Sequence, residues 1–383
     1  MVFPQESPFE FLPNELLDEI IINLSNPPPS ISRLHQPPGT RIARCDCRDL
    51  KNLARTSSRL RQVVIPRLFA HVSFDLQDVD HFLDFVHTWG LGRYVTSIVV
   101  KGRHSPNNCE DPFWWRQVLS HLHPLHITVL APPTFIGAMM GTQIVDDHSW
   151  AFQIPLQLVQ LERSIEDTHP ISNPSQLDRA SSLLQAGLWS SLLFNESSSL
   201  KAYNHYEYFL FQVPSLFSKW GQMASIKPRR ERASLSHSLA NLTSFRYTAV
   251  FPFYNHVKIV LNVVELMTNL RSLSVQLAPC ENDKATELEQ RGSMDPSDPW
   301  MELATGYSLI AHAVRDLGVR GRLVAFNTRD YSFDALRTEL SGILGDVLDN
   351  SGWVHDNSGT WSKKPGGSAM IDSVPLPNLP PTV

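Results

Sequence analysis

The stretch "FEFLPNELLDEIIINLS", Phe9 to Ser25, carries the first structural decision of this chain. Pro13 suits the first position of a helix, where a missing N–H leaves no bond unmade. Glu15, Asp18 and Glu19 favour the positive end of the helix dipole. The pattern predicts a helix from Pro13 to about Leu24, stopped by Asn26 and the run Pro27-Pro28-Pro29. Leu17, Ile20, Ile21 and Leu24 fall at offsets 0, 3, 4 and 7, which is one apolar stripe. Leu16 adjoins that stripe, Ile22 widens the apolar surface further round, and Leu12 sits just before the first turn. Two readings follow. Either the helix is wrapped by its own domain, or it packs on its own chain along one side and on a partner along another.

Residues 27–47 are rich in Pro, Ser, Arg and Cys, show no periodicity and read as a loop. Then comes "RDLKNLARTSSRLRQVVIPRLFAHVSFD", Arg48 to Asp75. Asp49 can cap a helix. Leu50, Leu53, Ser57, Leu60 and Val64 form a helical face, which Pro66 ends or kinks. Leu68 and Phe69 are apolar anchors, and "AHVSFD" alternates like a short strand.

With "LPNELLDEIIINL" followed by "DLKNLARTSSRLRQVVIPRLF", residues 9–75 resemble an F-box, in the variety common at the start of fungal F-box proteins. The order of the two halves fits the family. Their separation does not, because some twenty residues intervene here where the family usually has a few. Such an insertion is tolerable, since loop closure costs only about 0.6 kcal/mol per doubling of length.

The resemblance implies a small helical module that docks onto an Skp-type adaptor, and through it onto a cullin–RING ubiquitin ligase. Carried over by position, Leu12, Pro13, Leu16, Leu17 and Ile20 are the implied adaptor contacts. Leu53, Leu60 and Val64 close the module and also stand as adaptor contacts. The alternative for each is an ordinary core residue. Between Arg41 and Arg67 eight Arg and Lys face only Asp46 and Asp49, a basic run that reads as a solvated surface or as a guide for an acidic partner.

Residues 76–350 mix helix and strand. A helix is expected over 78–89, with Val79, Phe82, Leu83 and Val86 on one face. Four short runs share apolar positions at 0, 3 and 5: Val95-Ile98-Val100, Leu122-Leu125-Ile127, Leu242-Phe245-Tyr247 and Leu270-Leu273-Val275. Helices are expected over Val257 to Met267 and "YSLIAHAVRDLG", with a strand at "RLVAFN". Helix-then-strand order at this spacing points to a parallel sheet with covering helices. It resembles degenerate leucine-rich repeats, although residues 130–240 break the period. In fungal F-box proteins such a region recruits the substrate, so the resemblance implies a target-binding domain here. Residues 281–299 read as a loop and 351–383 as a disordered tail. Lys227, Arg229, Arg230 and Arg232 read as an exposed loop or a nuclear import signal.

The whole chain of 383 residues is 42% hydrophobic and 19% charged, with a net charge of -5. That balance excludes wholesale disorder and any global attraction to nucleic acid or acidic membranes. Four cysteines, Cys45, Cys47, Cys109 and Cys280, are too few and scattered for a disulfide framework. No secretory signal or membrane-length apolar run is seen. His121, His123 and His126 in "HLHPLH" lack the paired spacing of a zinc site, and Cys45-Asp-Cys47 reads as two surface thiols. No phosphate loop, dinucleotide fingerprint or nucleophile elbow is present. In "EDPFWWRQVL", Trp114 and Trp115 cannot share one helix face, which leaves one of them for a recognition patch or partial burial.

The expected fold class is therefore α+β and α/β, a small N-terminal helical F-box module followed by an irregular leucine-rich-repeat-like α/β solenoid. The expected function is non-catalytic substrate recognition in an SCF-type ligase, with no cofactor or metal, an unidentified protein substrate, and an intracellular location in cytoplasm or nucleus. Two other classes stay open: an interaction scaffold whose F-box-like helices serve only as packing, and a hydrolase built on the later domain.

Overall fold

The computed structural model describes residues 8–24, 27–103, 110–144, 147–164, 174–187, 189–225, 229–280 and 294–364. Helix α1 spans Asn14–Leu24, with Pro13 just outside it. The long helical face expected from Leu50 to Val64 is broken into α3, Arg48–Leu53, and α4, Ser58–Leu68. The break lies at Ser57. Its backbone is extended, with φ −152°, and its hydroxyl accepts a bond of 3.2 Å from the Leu60 N–H. A capping serine is worth about 1 kcal/mol, enough to favour two short helices over one. Pro66 lies inside α4 and does not end it. Cys47, and not Asp49, occupies the N-cap position of α3. Ile21, Leu50 and Val64 form a small core with Leu53, Ala54, Val63 and Leu68 packed around it.

The chain then enters a ten-stranded sheet. Its strands are β1 His71–Asp75, β2 Ser97–Lys101, β3 His126–Ala131, β4 Gln157–Glu162, β5 Ser191–Ser198, β6 Ser244–Val250, β7 Ser272–Gln276, β8 Ala325–Thr328, β9 Trp353–His355 and β10 Thr360–Lys363. They lie side by side in chain order through β8, followed by β10 and then β9. The expected parallel arrangement holds for β1 to β3 and for β5 to β8. Strands β4 and β10 run against their neighbours. The fold is mixed α/β, with 14 helices among the described residues.

The four apolar frames of the sequence all lead into strands, β2, β3, β6 and β7. For β6 and β7 the frame is the register itself, Phe245 opposite Leu273 and Tyr247 opposite Val275. For β2 and β3 it slips by two, because Ile98 pairs with Ile127. Alternate strand residues point into the main core, where they meet the helices. Trp114 and Trp115 are both buried there, so the idea that one is left exposed is wrong. Trp114 packs edge-on against Phe74, and Trp115 edge-on against Phe113.

Residues 351–364 were expected in a disordered tail. They instead complete the sheet as β9 and β10, with Trp353 and Trp361 buried. Residues 365–383 of that tail, and 281–293 of the expected acidic loop, lie outside the described residues. The remainder of that loop runs into a helix, Asp298–Val319. Its Gly318 is required by close approach, since a Cβ there would stand 2.6 Å from the Trp353 ring.

Just past β8, Asp330 is buried and accepts from the backbone N–H groups of Leu277 and Ala278 and from the Tyr307 hydroxyl. Burial pushes its carboxyl up to about 6, against the pull of those bonds. The folded chain therefore holds a proton here that the unfolded chain has already released. The stabilisation from this group is complete below its ordinary value of 3.8 and is lost as pH rises through about 6. Asp330→Asn should remove that dependence. The gap in melting temperature between wild type and variant will narrow from pH 4 to pH 7, and a constant gap would refute the assignment.

Candidate functional site

The N-terminal module exposes part of α1. Leu17 and Ile21 are buried, whereas Leu16 is 46%, Ile20 37% and Leu24 39% exposed. These three recur every fourth residue, so they form one outward stripe beside the buried one. Pro13 is exposed at its start, and Phe11 stands exposed just before it. The single stripe expected from Leu17 to Leu24 is thus split lengthwise. The reason is simple: α1 packs on α3 and α4, and these two short helices cover one side.

The implied contact residues are sorted accordingly. Pro13, Leu16 and Ile20 face outward, and Leu12 and Leu53 are half-buried. Leu17, Leu60 and Val64 are covered by their own chain, which takes them out of any docking surface in this conformation. Two arginines from α4 fix α1 in place. Arg59 donates to the Leu12 carbonyl at 2.6 Å and to Asn14 at 3.1 Å, and Arg67 pairs with Asp18 at 2.9 Å.

The second surface is the sheet face turned away from the helices. Paired residues across a sheet share a face. One row runs His71, Ser97, His126, Glu162, Ser191, Ser244 and Ser272. Another runs Thr128, Gln160, Leu193, Arg246 and Ser274. Arg246 pairs with Glu162 at 2.8 Å and donates to Gln160 at 3.3 Å. This face is more polar than the opposite one, although Leu130, Leu158 and Leu193 also lie on it.

It is also partly covered, and by the segment expected to be a loose insertion. Residues 27–47 contain a single turn, α2, Pro29–Ser32, and a 3-10 turn at Thr40–Ala43. Leu34 and Ile42 are buried against Leu130, Leu158 and Leu193 of the sheet, a second small core. The Gln160 side-chain amide donates to the Ser30 carbonyl at 2.9 Å. The Asn195 amide donates to the carbonyls of Leu34 and Gln36, each at 2.9 Å. Cys45 and Cys47 are half-buried, not surface thiols. They line a cleft of about 560 Å³ between this segment, α3, α4 and the edge strand β1. Burial and the neighbouring Cys47 push the Cys45 thiol up to about 12, so it stays protonated.

Sequence reasoning missed Gln160 and Asn195. The one available signal was an amide in the middle of an apolar strand, in "QLVQLE" and "SLLFNESS".

One interior cluster has the residue types of hydrolytic chemistry. Glu196 accepts from Ser215, from Tyr247 and from His256 at 2.9 Å, and all four residues are buried. The serine and histidine both spend their hydrogens on the carboxylate. That arrangement secures the interior, and with Ser215 0% exposed no substrate reaches its hydroxyl in this conformation. Among the "HLHPLH" histidines, His126 approaches Glu162 at 3.6 Å, while His121 and His123 are exposed. No helix among the described residues is long and apolar enough to cross a membrane.

Comparison with protein-family models, with curated proteins and with solved structures finds no match to this chain.

Proposed function

We propose that this chain is the non-catalytic substrate-recruiting subunit of an SCF-type cullin–RING ubiquitin ligase, acting inside the cell. The α1 stripe binds an Skp-type adaptor, and the region from β1 onward holds a protein target. The observation that carries this reading is the outward line of Leu16, Ile20 and Leu24 on a helix whose other apolar side is already satisfied. An exposed apolar line on a firmly braced helix is what a helix-binding partner needs. The basic residues Arg41, Arg44, Lys51, Arg55 and Arg61 of the same N-terminal region are exposed and favour an acidic partner. The chain-ordered strands, with helices on one face, support an irregular leucine-rich-repeat-like solenoid as the target-holding part.

The test is Leu16→Asp with Ile20→Asp. Each side chain contributes about 1.5–3 kcal/mol when buried at such a contact. Adaptor co-purification should therefore fall at least ~100-fold. Both residues are exposed, so the melting temperature should hardly move. Adaptor capture at wild-type strength would overturn the reading and leave the helices as a packing element only.

A further inference from the structure

The covering of the sheet's polar face has a specific chemistry. Three side chains of the sheet region reach the strap at residues 28–36, and each reaches a main-chain carbonyl. Gln160 takes Ser30, Asn195 takes Leu34 and Gln36, and the Cys280 thiol takes His35 at 3.7 Å. Bonds of this kind do not depend on the side chains of the bound segment. One apolar anchor supplements them, Leu34 in its pit of Leu130, Leu158 and Leu193. The face thus holds a polypeptide in the way a peptide-binding surface does, and the polypeptide belongs to the same chain.

The strap does not complete that surface. Beside it runs a groove of about 280 Å³ lined by His35, Gln276, Cys280, Arg329, Ser332 and Phe333. Gln276 is only 4% exposed, and its side-chain oxygen has no hydrogen-bond partner among the described residues. Its amide nitrogen is already engaged with the Ala278 carbonyl at 3.2 Å. A buried acceptor left unmade is costly and calls for a donor. A main-chain N–H of a second segment supplies one. Arg329 is exposed on the same groove and suits an acidic side chain in that segment.

We propose that residues 28–36 are a built-in ligand of the polar sheet face, and that a target polypeptide is taken up by exchange with them. The incoming segment presents carbonyls to Gln160 and Asn195, a leucine-sized side chain to the Leu34 pit, an N–H to Gln276 and an acidic group to Arg329. This deepens the recruiting role by naming how its target surface is regulated. It rests on that role only for the source of the target.

The probe is a fluorescein-labelled peptide of the strap, PPPSISRLHQPP, residues 27–38. The measurement is fluorescence anisotropy with the full chain and no adaptor present. In wild type the tethered strap competes at an effective concentration on the order of millimolar. Leu34→Ala in the chain weakens that competitor, so the peptide should bind at least ~10-fold tighter than to wild type. A peptide carrying aspartate at the Leu34 position should not bind. A second variant keeps the Leu34 core untouched. His35→Cys places a thiol beside Cys280, and oxidation locks the strap down, with the bond verified by mass spectrometry. Peptide binding that appears only after reduction supports exchange. Equal binding in the locked and reduced states overturns it, as does a folded Leu34→Ala chain that binds no better than wild type. Because no adaptor is used, these failures would leave the adaptor reading standing, and loss of the adaptor reading would leave them untouched.

Discussion

A chain ended after Asn350 will lose cooperative folding. Strand β10 lies between β8 and β9, and its pairing with β8 sets Trp361 opposite Phe326. Trp361 is buried, stacked on His355 with ring centres 4.0 Å apart and set edge-on against Tyr331. Trp353 is buried on the surface that Gly318 leaves open. Deleting one buried tryptophan side chain costs about 3–5 kcal/mol. Removing two strips most of the stability of a domain, which is only about 5–15 kcal/mol. It also bares the β8 backbone groups that β10 now satisfies. Circular dichroism on heating should show a broad, low transition and limited proteolysis should be rapid. A sharp melt within a few degrees of the full chain would count against this account.

Glu196→Ala should be nearly as damaging, although it removes a single side chain. The carboxylate is the common acceptor for Ser215, Tyr247 and His256. Burial, and then the charge of Glu196, push the Tyr247 hydroxyl well above its ordinary range, so it remains a donor throughout the working pH range. Alanine leaves three buried donors with no acceptor. Each orphaned group costs about 1–3 kcal/mol, so three together cost at least about 3 kcal/mol. Urea denaturation should register a loss of at least ~3 kcal/mol. A loss below ~1 kcal/mol would mean that the cluster is solvated or rearranged.

Much of the fold was legible where one face of an element is buried and the other is not. Helix α1 and the helix now at Val79–Thr88 declared themselves by periodicity, and β2, β3, β6 and β7 by a shared apolar frame, although β2 and β3 are buried on both faces. Strands β4 and β5 did not. Both are covered on two faces, by the core on one side and by the strap on the other, so their buried runs do not alternate. The segment 27–47 that carries the strap was illegible because Leu34 and Ile42 stand eight residues apart among prolines and arginines, without a helical or strand period. The last two strands were hidden by a Gly- and Ser-rich sequence whose order comes from two tryptophans and from pairing with a distant strand. At the candidate site, periodicity placed Leu17 and Ile20 on the same stripe. Only the packing of α1 against two short helices decides that the first turns inward and the second outward.

The N-terminal module is attached to the sheet at two places. Helix α4 ends at Leu68 and the chain enters β1 at His71, while the strap, between α1 and α3, is fastened to β4 and β5. A body pinned at one point can pivot; pinned at two, it keeps its heading. The span between whatever grips the first helix and whatever rests on the sheet is then set like the jaws of a caliper. Under the recruiting role proposed above, only those lysines on a cargo that fall within that fixed opening would come within reach of a transfer centre, and unfastening the strap would widen the choice.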